Sequence, residues 1–379
     1  MRVLTVANHL GARGGLERTQ LTTCRMLADR GHRIDLVFVT AGDFEAAWRA
    51  FVGTAVQIRG SLPRRAEPLR SSTGIVSAIR AGARLRPDVI YVYRYWDVPY
   101  AAAVGAITRA PVVFHLCLPP PTRIPGWLRP ALRRIDTTLS VSEDTARRWR
   151  GTGLDDARIR IVTTGIDVDA FAPAGPSERL AARRALGIDE DAFVVLYAGR
   201  IGREKGVDVL VRACTMLSKD LPDLRLVVAG GSSLGADPAD SEAYLAELRE
   251  ATGDMPAAFL PARPDVRPLL HSADVAVVPS LWPEPFSRAV MEPLACGIPV
   301  LASSSGGTPE ILTGALSRFL VEPGDAEALA RALRDLHRWR AHQPGLGPEC
   351  RNFAVDHLSL SLEVDAVEAA LEHAGAGHR

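Results

Sequence analysis

Two glutamates lie eight positions apart in the segment EPFSRAVMEPLACG, residues 284–297. Glu284 precedes a predicted helix that begins near Ser287, and Glu292 falls about one and a half turns into that helix, at ~3.6 residues per turn. An ionised carboxylate is a strong hydrogen-bond acceptor and can bind two adjacent hydroxyl groups. This spacing therefore predicts a site for a ligand that is rich in hydroxyl groups.

Backbone amides beside these carboxylates are expected to favour an anion. The predicted helix would leave the N–H groups of Phe286, Ser287 and Arg288 at the positive end of its dipole. A sugar nucleotide explains why carboxylates would lie beside an anion site. Its phosphates accept hydrogen bonds from the backbone amides, and the hydroxyls of its two sugar rings donate hydrogen bonds to the carboxylates. The residues thus predict one glutamate for each sugar ring, on either side of a diphosphate.

A strand-to-helix loop earlier in the same half contributes cations. The segment YAGRIGREKGVDVLVRA (197–213) leaves a predicted strand after Gly199 and enters a helix near Gly206, which places Arg200 and Lys205 in one loop. Lysine is rare in this chain, with two among 45 basic residues. Cations at the end of a strand can neutralise a leaving diphosphate, and a solvated surface loop is the alternative.

The first predicted strand ends in a glycine-rich turn, HLGARGGLERTQ (9–20). Gly14 and Gly15 precede a helix that is predicted to start near Leu16. Glycine lets the backbone approach a ligand closely, and free amides at a helix start favour phosphate. The spacing is not the G-x-G-x-x-G of dinucleotide enzymes, which argues against a nicotinamide cofactor.

Two more turns of the second half complete the candidate site. The segment SSSGGTPEIL (303–312) follows a predicted strand and opens a helix, so it offers a further set of backbone amides. The segment FLPARPDVRPLL (259–270), which contains Arg263, carries three prolines. Because proline restricts the backbone, we predict a rigid loop that can offer hydrogen bonds to a nucleobase.

The two halves of the chain carry opposite charge within an ordinary globular composition. Hydrophobic residues make up 47% and charged residues 23% of the 379 positions. Residues 1–175 contain 25 arginines and no lysine against 15 acidic residues, whereas 176–379 contain 20 basic and 29 acidic residues. The basic half indicates either an acidic or membrane-bound partner or salt bridges between the halves.

Cysteine usage and the N-terminus predict a cytoplasmic location. The five cysteines show no CxxC spacing, which favours reduced thiols over disulfides or a zinc site. The N-terminal segment MRVLTVANHLGARGG breaks its apolar run at His9, unlike a signal peptide. No apolar run reaches the ~18 residues of a membrane span, so attachment at the inner face of a membrane is the remaining form of membrane contact.

Short apolar runs alternate with helix-length stretches in both halves. Such near-continuous apolar strands predict parallel sheets covered on both faces, so each half is expected to be a doubly wound, Rossmann-like α/β domain. Two such domains would face a central cleft, with ligands beyond the carboxyl ends of the strands. The predicted strands are 2–8, 33–40, 88–93, 111–116, 137–142 and 159–165, then 193–199, 224–231, 257–261, 275–280, 299–303 and 318–322.

Helices are predicted over 16–30, 143–150 and, within the boundary segment 171–192, over 177–186. Segment 53–85 is rich in arginine and serine with weak periodicity, and it predicts a mobile region of the first half.

Several of these segments together resemble the retaining glycosyltransferases of family four, which have the GT-B fold. The matching segments are GGLERT near the N-terminus, VTTGID (162–167), AGRIGREKG, PEPFSRAVMEPLACGIPVLAS with its two glutamates, and GGTPEIL. The resemblance implies an N-terminal acceptor-binding domain over 1–175 and a nucleotide-sugar-binding domain over 176–355. It also implies a C-terminal helix over 356–379 that packs back on the first domain.

The resemblance assigns roles to individual positions. Glu284 would bind hydroxyls of the transferred sugar, and Glu292 would hold the ribose. Arg200 and Lys205 would stabilise the diphosphate. The amides of Gly15 and of residues 286–288 would contact phosphate and sugar, with Gly14, Gly199 and Arg263 also at the donor. His115, at the end of the strand PVVFHL, matches the family's active-site histidine; a hydrogen-bonded histidine at a strand end is the alternative.

Some positions depart from the family pattern. Ser287 replaces a frequent glycine, and SSSGG replaces a more usual Thr-x-x-Gly-Gly, so the donor preference cannot be transferred. The D-x-D candidates DVD (167–169) and DED (189–191) fall in a junction turn and a linker. We therefore predict no metal and no cofactor beyond the sugar nucleotide.

The resemblance implies transfer of a sugar from a nucleoside diphosphate sugar to an acceptor hydroxyl, with retention through front-face attack. The acceptor is predicted to be either a lipid-linked or polysaccharide acceptor or a small natural product. A sugar-nucleotide epimerase or a non-catalytic sugar-nucleotide-binding protein of the same fold remains an alternative. Nucleic-acid binding is disfavoured because the arginines are not interleaved with aromatic residues. The oligomeric state stays open.

Overall fold

Each half of the chain folds around its own parallel β-sheet. The computed structural model describes residues 1–11, 14–60, 68–232 and 237–377, without the side chains of 68–73. The chain divides into a first unit, Met1–Gly165 with the residues from Leu360 onward, and a second unit, Ile166–Ser359.

The first unit contains seven parallel strands in the order β3-β2-β1-β4-β5-β6-β7. The inner strands are buried on both faces, which explains their continuous apolar runs. The strands are β1 (Arg2–His9), β2 (Arg33–Thr40), β3 (Thr54–Gln57), β4 (Val89–Val92), β5 (Val112–Leu116), β6 (Thr137–Ser140) and β7 (Ile159–Ile161).

Helices connect these strands, as parallel pairing requires. Local sequence sets several of their ends; for example, the side chain of Ser142 accepts a hydrogen bond from the N–H of Thr145 and caps the helix that follows. The helices are α1 (Gly15–Asp29), α2 (Glu45–Arg49), α3 (Pro68–Arg84), α4 (Val98–Thr108), α5 (Arg129–Leu132) and α6 (Glu143–Trp149), with 3-10 turns at Gly126–Leu128 and Asp156–Arg158.

The second unit contains six parallel strands in the order β10-β9-β8-β11-β12-β13. The two central strands, β8 and β11, therefore come from distant parts of the sequence. Because all six strands are parallel, their carboxyl ends lie at one edge of the sheet. The strands are β8 (Phe193–Ala198), β9 (Leu224–Ala229), β10 (Ala257–Leu260), β11 (Val275–Val278), β12 (Val300–Ser303) and β13 (Leu320–Val321).

The helices of the second unit bury apolar faces against this sheet. They are α7 (Pro176–Ala185), α8 (Val207–Leu217), α9 (Pro238–Thr252), α10 (Arg267–Ser272), α11 (Arg288–Ala295), α12 (Thr308–Ile311), α13 (Ala326–Asp335), α14 (Trp339–His342) and α15 (Leu346–Leu358), with 3-10 turns at Arg203–Lys205 and Gly314–Phe319.

The last helix, α16 (Leu360–Ala376), returns to the first unit and packs against α1. Its buried Glu363 accepts hydrogen bonds from the Thr23 hydroxyl at 2.8 Å and from the Gly165 N–H at 2.7 Å. The Glu363 carboxylate thus connects the C-terminal helix with α1 and with Gly165. Buried carboxylates require such partners.

The predicted fold class is confirmed, and most predicted elements agree within a residue or two. The predicted strands 159–165 and 318–322 are shorter, at Ile159–Ile161 and Leu320–Val321. The expected boundaries at 175 and 355 differ from the observed division after Gly165 and Ser359. Segment 53–85 contains β3 and α3, and its residues 61–67 lie outside the described residues.

Among the residues that the structure describes, no helix is long and apolar enough to cross a membrane.

Candidate functional site

Two of the residues predicted to bind phosphate and hydroxyls, Lys205 and Glu284, meet at the carboxyl edge of the second sheet. Nζ of Lys205 lies 2.6 Å from Oε1 of Glu284, and both side chains are largely buried, at 9% and 15% exposure. The Ser280 hydroxyl donates to the same carboxylate oxygen at 3.0 Å. The ring of Trp282 lies below the ammonium group, with its centroid 4.9 Å from Nζ, a cation–π arrangement.

The sheet order explains why Lys205 reaches Glu284. Lys205 follows β8 and Glu284 follows β11, and these strands are hydrogen-bonded neighbours. The N–H groups of Leu281 and Trp282 both donate to the Glu204 carbonyl at 2.9 Å, which joins the two loops. Gly206 adopts a φ of +63°, and a Cβ there would lie 2.1 Å from the Pro279 carbonyl oxygen. Glycine is therefore required where these loops touch.

The Gly-Gly turn after β12 supports Glu284 from the other side. The Gly307 N–H donates to the Glu284 carbonyl at 2.7 Å. Gly306 has a φ of +62°, and a Cβ there would lie 2.3 Å from that same carbonyl oxygen. The backbone of Glu284 is thus held by a turn that only glycine can make at this distance.

Helix α11 begins at Arg288, shortly after Glu284. Phe286 and Ser287 are buried, and Ser287 occupies the N-cap position without a side-chain cap. Within the described parts of the chain, the N–H groups of residues 286–288 have no hydrogen-bond partner. Unpaired N–H groups at the start of an eight-residue helix are suited to an anion.

Glu292 lies one turn further along α11 and pairs with Arg288, with 3.3 Å between Nε and Oε1. It lines a small cavity together with Ala198 and Val266. Glu292 and Glu284 are thus both close to the start of α11, but they have different cationic partners.

The remaining predicted donor residues of this unit are exposed. Gly199 and Arg200 follow β8, and the Tyr197 hydroxyl donates to the Arg200 carbonyl. Burial raises the pKa of Tyr197, and Glu284 acts in the same direction, so this phenol is neutral beside the site. Arg263 follows the edge strand β10, two strands away from β8.

Two predicted residues lie at a helix start in the first unit. Helix α1 begins at Gly15, and Gly14 is its N-cap, in extended backbone. Glu17 in the first turn of α1 pairs with Arg94, which follows β4. The preceding residues 12 and 13 lie outside the described part of the chain.

His115 lies inside the core of the first unit. It is fully buried on β5, with Nδ1 2.7 Å from the Tyr91 hydroxyl. Burial lowers its pKa to about 4, against a smaller opposite effect of the Val162 backbone. Nδ1 thus has a partner in the core, whereas the buried Nε2 has none among the described residues, and the active-site role of His115 stays a prediction. The strand-end position alone could not distinguish these roles.

Both units match models of one glycosyltransferase group. The Glycosyltransferase Family 4 model matches residues 13–170, and the Glycosyl transferases group 1 model matches residues 178–343. The D-inositol 3-phosphate glycosyltransferase of Mycobacterium avium is 30% identical over 394 residues, with 96% of this chain and 90% of the relative covered. That of Mycolicibacterium vanbaalenii is 36% identical over 408 residues, with 97% and 87% covered.

The chain is a family four glycosyltransferase. Its GT-B fold is also that of HepE from Anabaena, solved in complex with UDP, with a TM-score of 0.83 at 20% identity and 98% and 100% of the two chains covered. The predicted resemblance is confirmed at the level of family and fold.

Two residues of the candidate site were missed in the sequence, Ser280 and Trp282. Ser280 and Trp282 lie on either side of the turn before Glu284, in the segment SLWPE. The sequence feature that could have identified them is their proximity to Glu284. The contact of Gly306 with Glu284, in contrast, depends on β11 and β12 being neighbours in the sheet.

Two of the candidate metal ligands, Asp167 and Glu368, have other partners. Asp167 accepts the N–H groups of Asp169 and Ala170 in a local turn, at 3.2 and 2.9 Å. In the first unit, His32, Glu368 and Glu372 have the side-chain types and spacing of a metal site. Glu368 is already paired with Arg30 and His32, each at 2.6 Å. Metal independence stays a prediction.

Proposed function

We propose that this glycosyltransferase transfers a sugar from a nucleoside diphosphate sugar to an acceptor hydroxyl, with retention at the anomeric carbon and without a metal. The observation that carries the proposal is the Lys205–Glu284 pair at the carboxyl edge of the second sheet, directly before the unpaired amides of α11. Ligands of open α/β sheets bind at this edge.

Each group has a task that follows from its chemistry. Glu284 accepts hydrogen bonds from hydroxyls of the transferred sugar and orients it. Lys205, Arg200 and the amides of residues 286–288 stabilise the negative charge that develops on the leaving diphosphate. Glu292 holds the ribose hydroxyls. We leave His115 out of this set because it is fully buried.

The reaction is balanced without a further reagent. The bond between the anomeric carbon and the diphosphate oxygen breaks, and the acceptor oxygen forms the new bond on the same face. The acceptor proton passes to the leaving diphosphate. The protein then supplies charge stabilisation and orientation, which together account for large rate effects.

A uridine nucleotide is the first donor to test. HepE, which shares the fold, has been solved with UDP and with UDP-glucose. We propose thermal-shift measurements with UDP-, GDP-, ADP- and dTDP-glucose, with and without magnesium. A ligand at ~100 times its dissociation constant adds about 2.7 kcal/mol to the free energy of unfolding.

The outcomes separate the parts of the proposal. A shift without magnesium supports the metal-independent donor site, and a shift that requires magnesium removes metal independence. No shift with any donor would overturn the donor site. Glu284→Gln should abolish transfer, and Glu327→Gln, an exposed control with its side chain 75% accessible, should not. The anomeric configuration of the product, measured by NMR, tests retention.

The acceptor side is proposed from the first unit. The relatives from Mycobacterium and Mycolicibacterium are named for D-inositol 3-phosphate, so an inositol phosphate is the first small acceptor to test. A lipid-linked or polysaccharide acceptor is the other candidate, supported by an exposed aromatic pair. Trp96 and Trp127 are 38% and 54% exposed and stack with centroids 5.9 Å apart.

Four exposed arginines lie close to Trp127 in the sequence. Within the described residues, those at 123, 129, 133 and 134 form no ion pair, so their charge is available to an anionic surface. Aromatic side chains beside basic residues are typical of proteins that contact membranes. We therefore propose peripheral membrane contact through this surface.

A further inference from the structure

A second charged feature lies at the opposite edge of the second sheet. It is a cavity of about 360 Å³ lined by parts of α7, α10, α14 and α15 and by the turn before β12. Asp274 and Ile298, beside it, precede β11 and β12, whereas Glu284 follows β11. Strands of four residues span roughly 13 Å, so this cavity is separate from the candidate active site. We call it the arginine cavity.

The lining of the arginine cavity is basic. It includes Arg179, Arg340, Arg351 and His271, and no carboxylate belongs to its described lining. Nη1 of Arg351 donates to the carbonyls of Val168, Phe171 and Ala295. These bonds orient its guanidinium without neutralising it.

One carboxylate behind the cavity serves three guanidinium groups. Asp274 lies 2.7 Å from Arg179, 2.6 Å from Arg183 and 3.4 Å from Arg340. Burial lowers the pKa of Arg340, and repulsion from Arg179 lowers it further. Positive charge is therefore in excess here, and an anion in the cavity would relieve the repulsion.

The cavity also holds an unused hydrogen-bonding group. Nε2 of His271 is buried and has no partner among the described residues. Buried polar atoms are rarely left unpaired. The lining also includes the apolar side chains of Pro173, Pro348 and Cys296. The site thus combines charged and apolar groups.

We propose that the arginine cavity binds a small organic phosphate, with the phosphate group at Arg179, Arg340 and His271 and a small ring against the apolar side chains. Its volume is within the usual range for small-molecule sites, about 300–1,000 Å³. Guanidinium forks suit phosphate oxygens. The proposal does not depend on the proposed transfer reaction, since the two sites share no residue.

The test is calorimetric titration of the full chain with glucose 6-phosphate and with inorganic phosphate. Arg340→Gln should weaken binding of glucose 6-phosphate by at least about tenfold. The fold should survive, because Arg179 and Arg183 still neutralise Asp274. Arg340→Lys keeps the charge and should show an intermediate loss.

Two controls identify the site. Arg331→Gln removes an arginine that is 69% exposed on α13, and Lys205→Met changes the candidate active site. Both should leave the binding of glucose 6-phosphate unchanged. Loss of binding in Lys205→Met with retention in Arg340→Gln would overturn the proposal, as would no binding to the unmodified chain. Equal affinity for inorganic phosphate and glucose 6-phosphate would show that the cavity binds the phosphate group alone, and would overturn the proposal that it binds a ring as well.

Discussion

The ammonium nitrogen of Lys205 lies 2.6 Å from Oε1 of Glu284, although 79 positions separate the two residues in the chain. One of the three N–H donors of the ammonium group is directed to this carboxylate, which leaves two for other acceptors. The pair therefore brings the proposed hydroxyl-binding acid and the proposed phosphate-binding cation to one point. Because both side chains are largely buried, loss of one leaves the other's charge poorly compensated.

Replacement of Lys205 should reduce the transfer rate. Lys205→Met removes the cation that we place at the leaving diphosphate, and loss of one such group typically lowers kcat by about 100-fold or more. The measurement is kcat with the donor identified by thermal shift. Lys219→Met is the matched control, because Lys219 is the other lysine of the chain and is exposed. Equal activity of the two variants would return Lys205 to a purely structural role.

Replacement of Gly306 tests how the backbone of Glu284 is held. Gly306→Ala forces a Cβ within 2.3 Å of the Glu284 carbonyl oxygen, whereas Gly314→Ala, at a φ of +56°, meets nothing within 4 Å. Both variants carry the left-handed strain of about 1–2 kcal/mol. Gly306→Ala should therefore lower both the melting temperature and the donor affinity more than Gly314→Ala does. If the two variants lose the same amount, the Gly306 contact does not position Glu284.

One physical rule was sufficient to predict the turns of the candidate site. Ligands of parallel sheets bind after strand ends, so the turns with Lys205, Glu284 and Gly306 could be selected before the strand order was known. Their mutual contacts depend on β8, β11 and β12 being neighbours, and apolar runs do not encode that order. Arg263 was predicted from the same rule, but its loop follows the edge strand β10, which lies two strands away from β8.

Elements with partial burial were harder to predict. Strand β3 is four residues long at the edge of its sheet, and none of its residues is fully buried, so its apolar signal is weak. His115 shows a related difficulty. Successive side chains of a strand point to opposite faces, and the sequence did not show that His115 would face Tyr91 in the core.

The burial of His115 predicts a pH effect on stability. Its pKa is about 4 in the folded chain against an ordinary 6.5, so the unfolded chain binds the proton more readily. The stabilisation is complete above pH 6.5 and is lost as the pH falls to 4, by about 3 kcal/mol. Unfolding by urea can be followed through tryptophan fluorescence, because Trp48, Trp96, Trp127 and Trp149 lie in the first unit.

The variant His115→Gln should remove this part of the pH dependence. The difference in unfolding free energy between the wild type and the variant should therefore change between pH 6.5 and pH 4. The exposed His373→Gln, in the same unit, should follow the wild type. A constant difference across this range would contradict the lowered pKa of His115.

The exposed aromatic pair predicts binding to anionic membranes. Trp127 and Trp96 can enter the lipid interface while the exposed arginines near Trp127 in the sequence attract acidic headgroups, at about 1 kcal/mol for each basic residue near the surface. Sedimentation with phosphatidylserine vesicles should show binding that weakens with salt, and Trp127→Ala should weaken it by about tenfold. Ile107→Ala is the control, since Ile107 is 62% exposed near the opposite end of α4 from Trp96.

Two outcomes would contradict this prediction. If binding weakens with salt but Trp127→Ala and Ile107→Ala weaken it equally, the protein is attracted by charge and the aromatic pair does not insert. Absence of binding to the vesicles would favour a small soluble acceptor, because a lipid-linked acceptor requires this protein at the membrane surface.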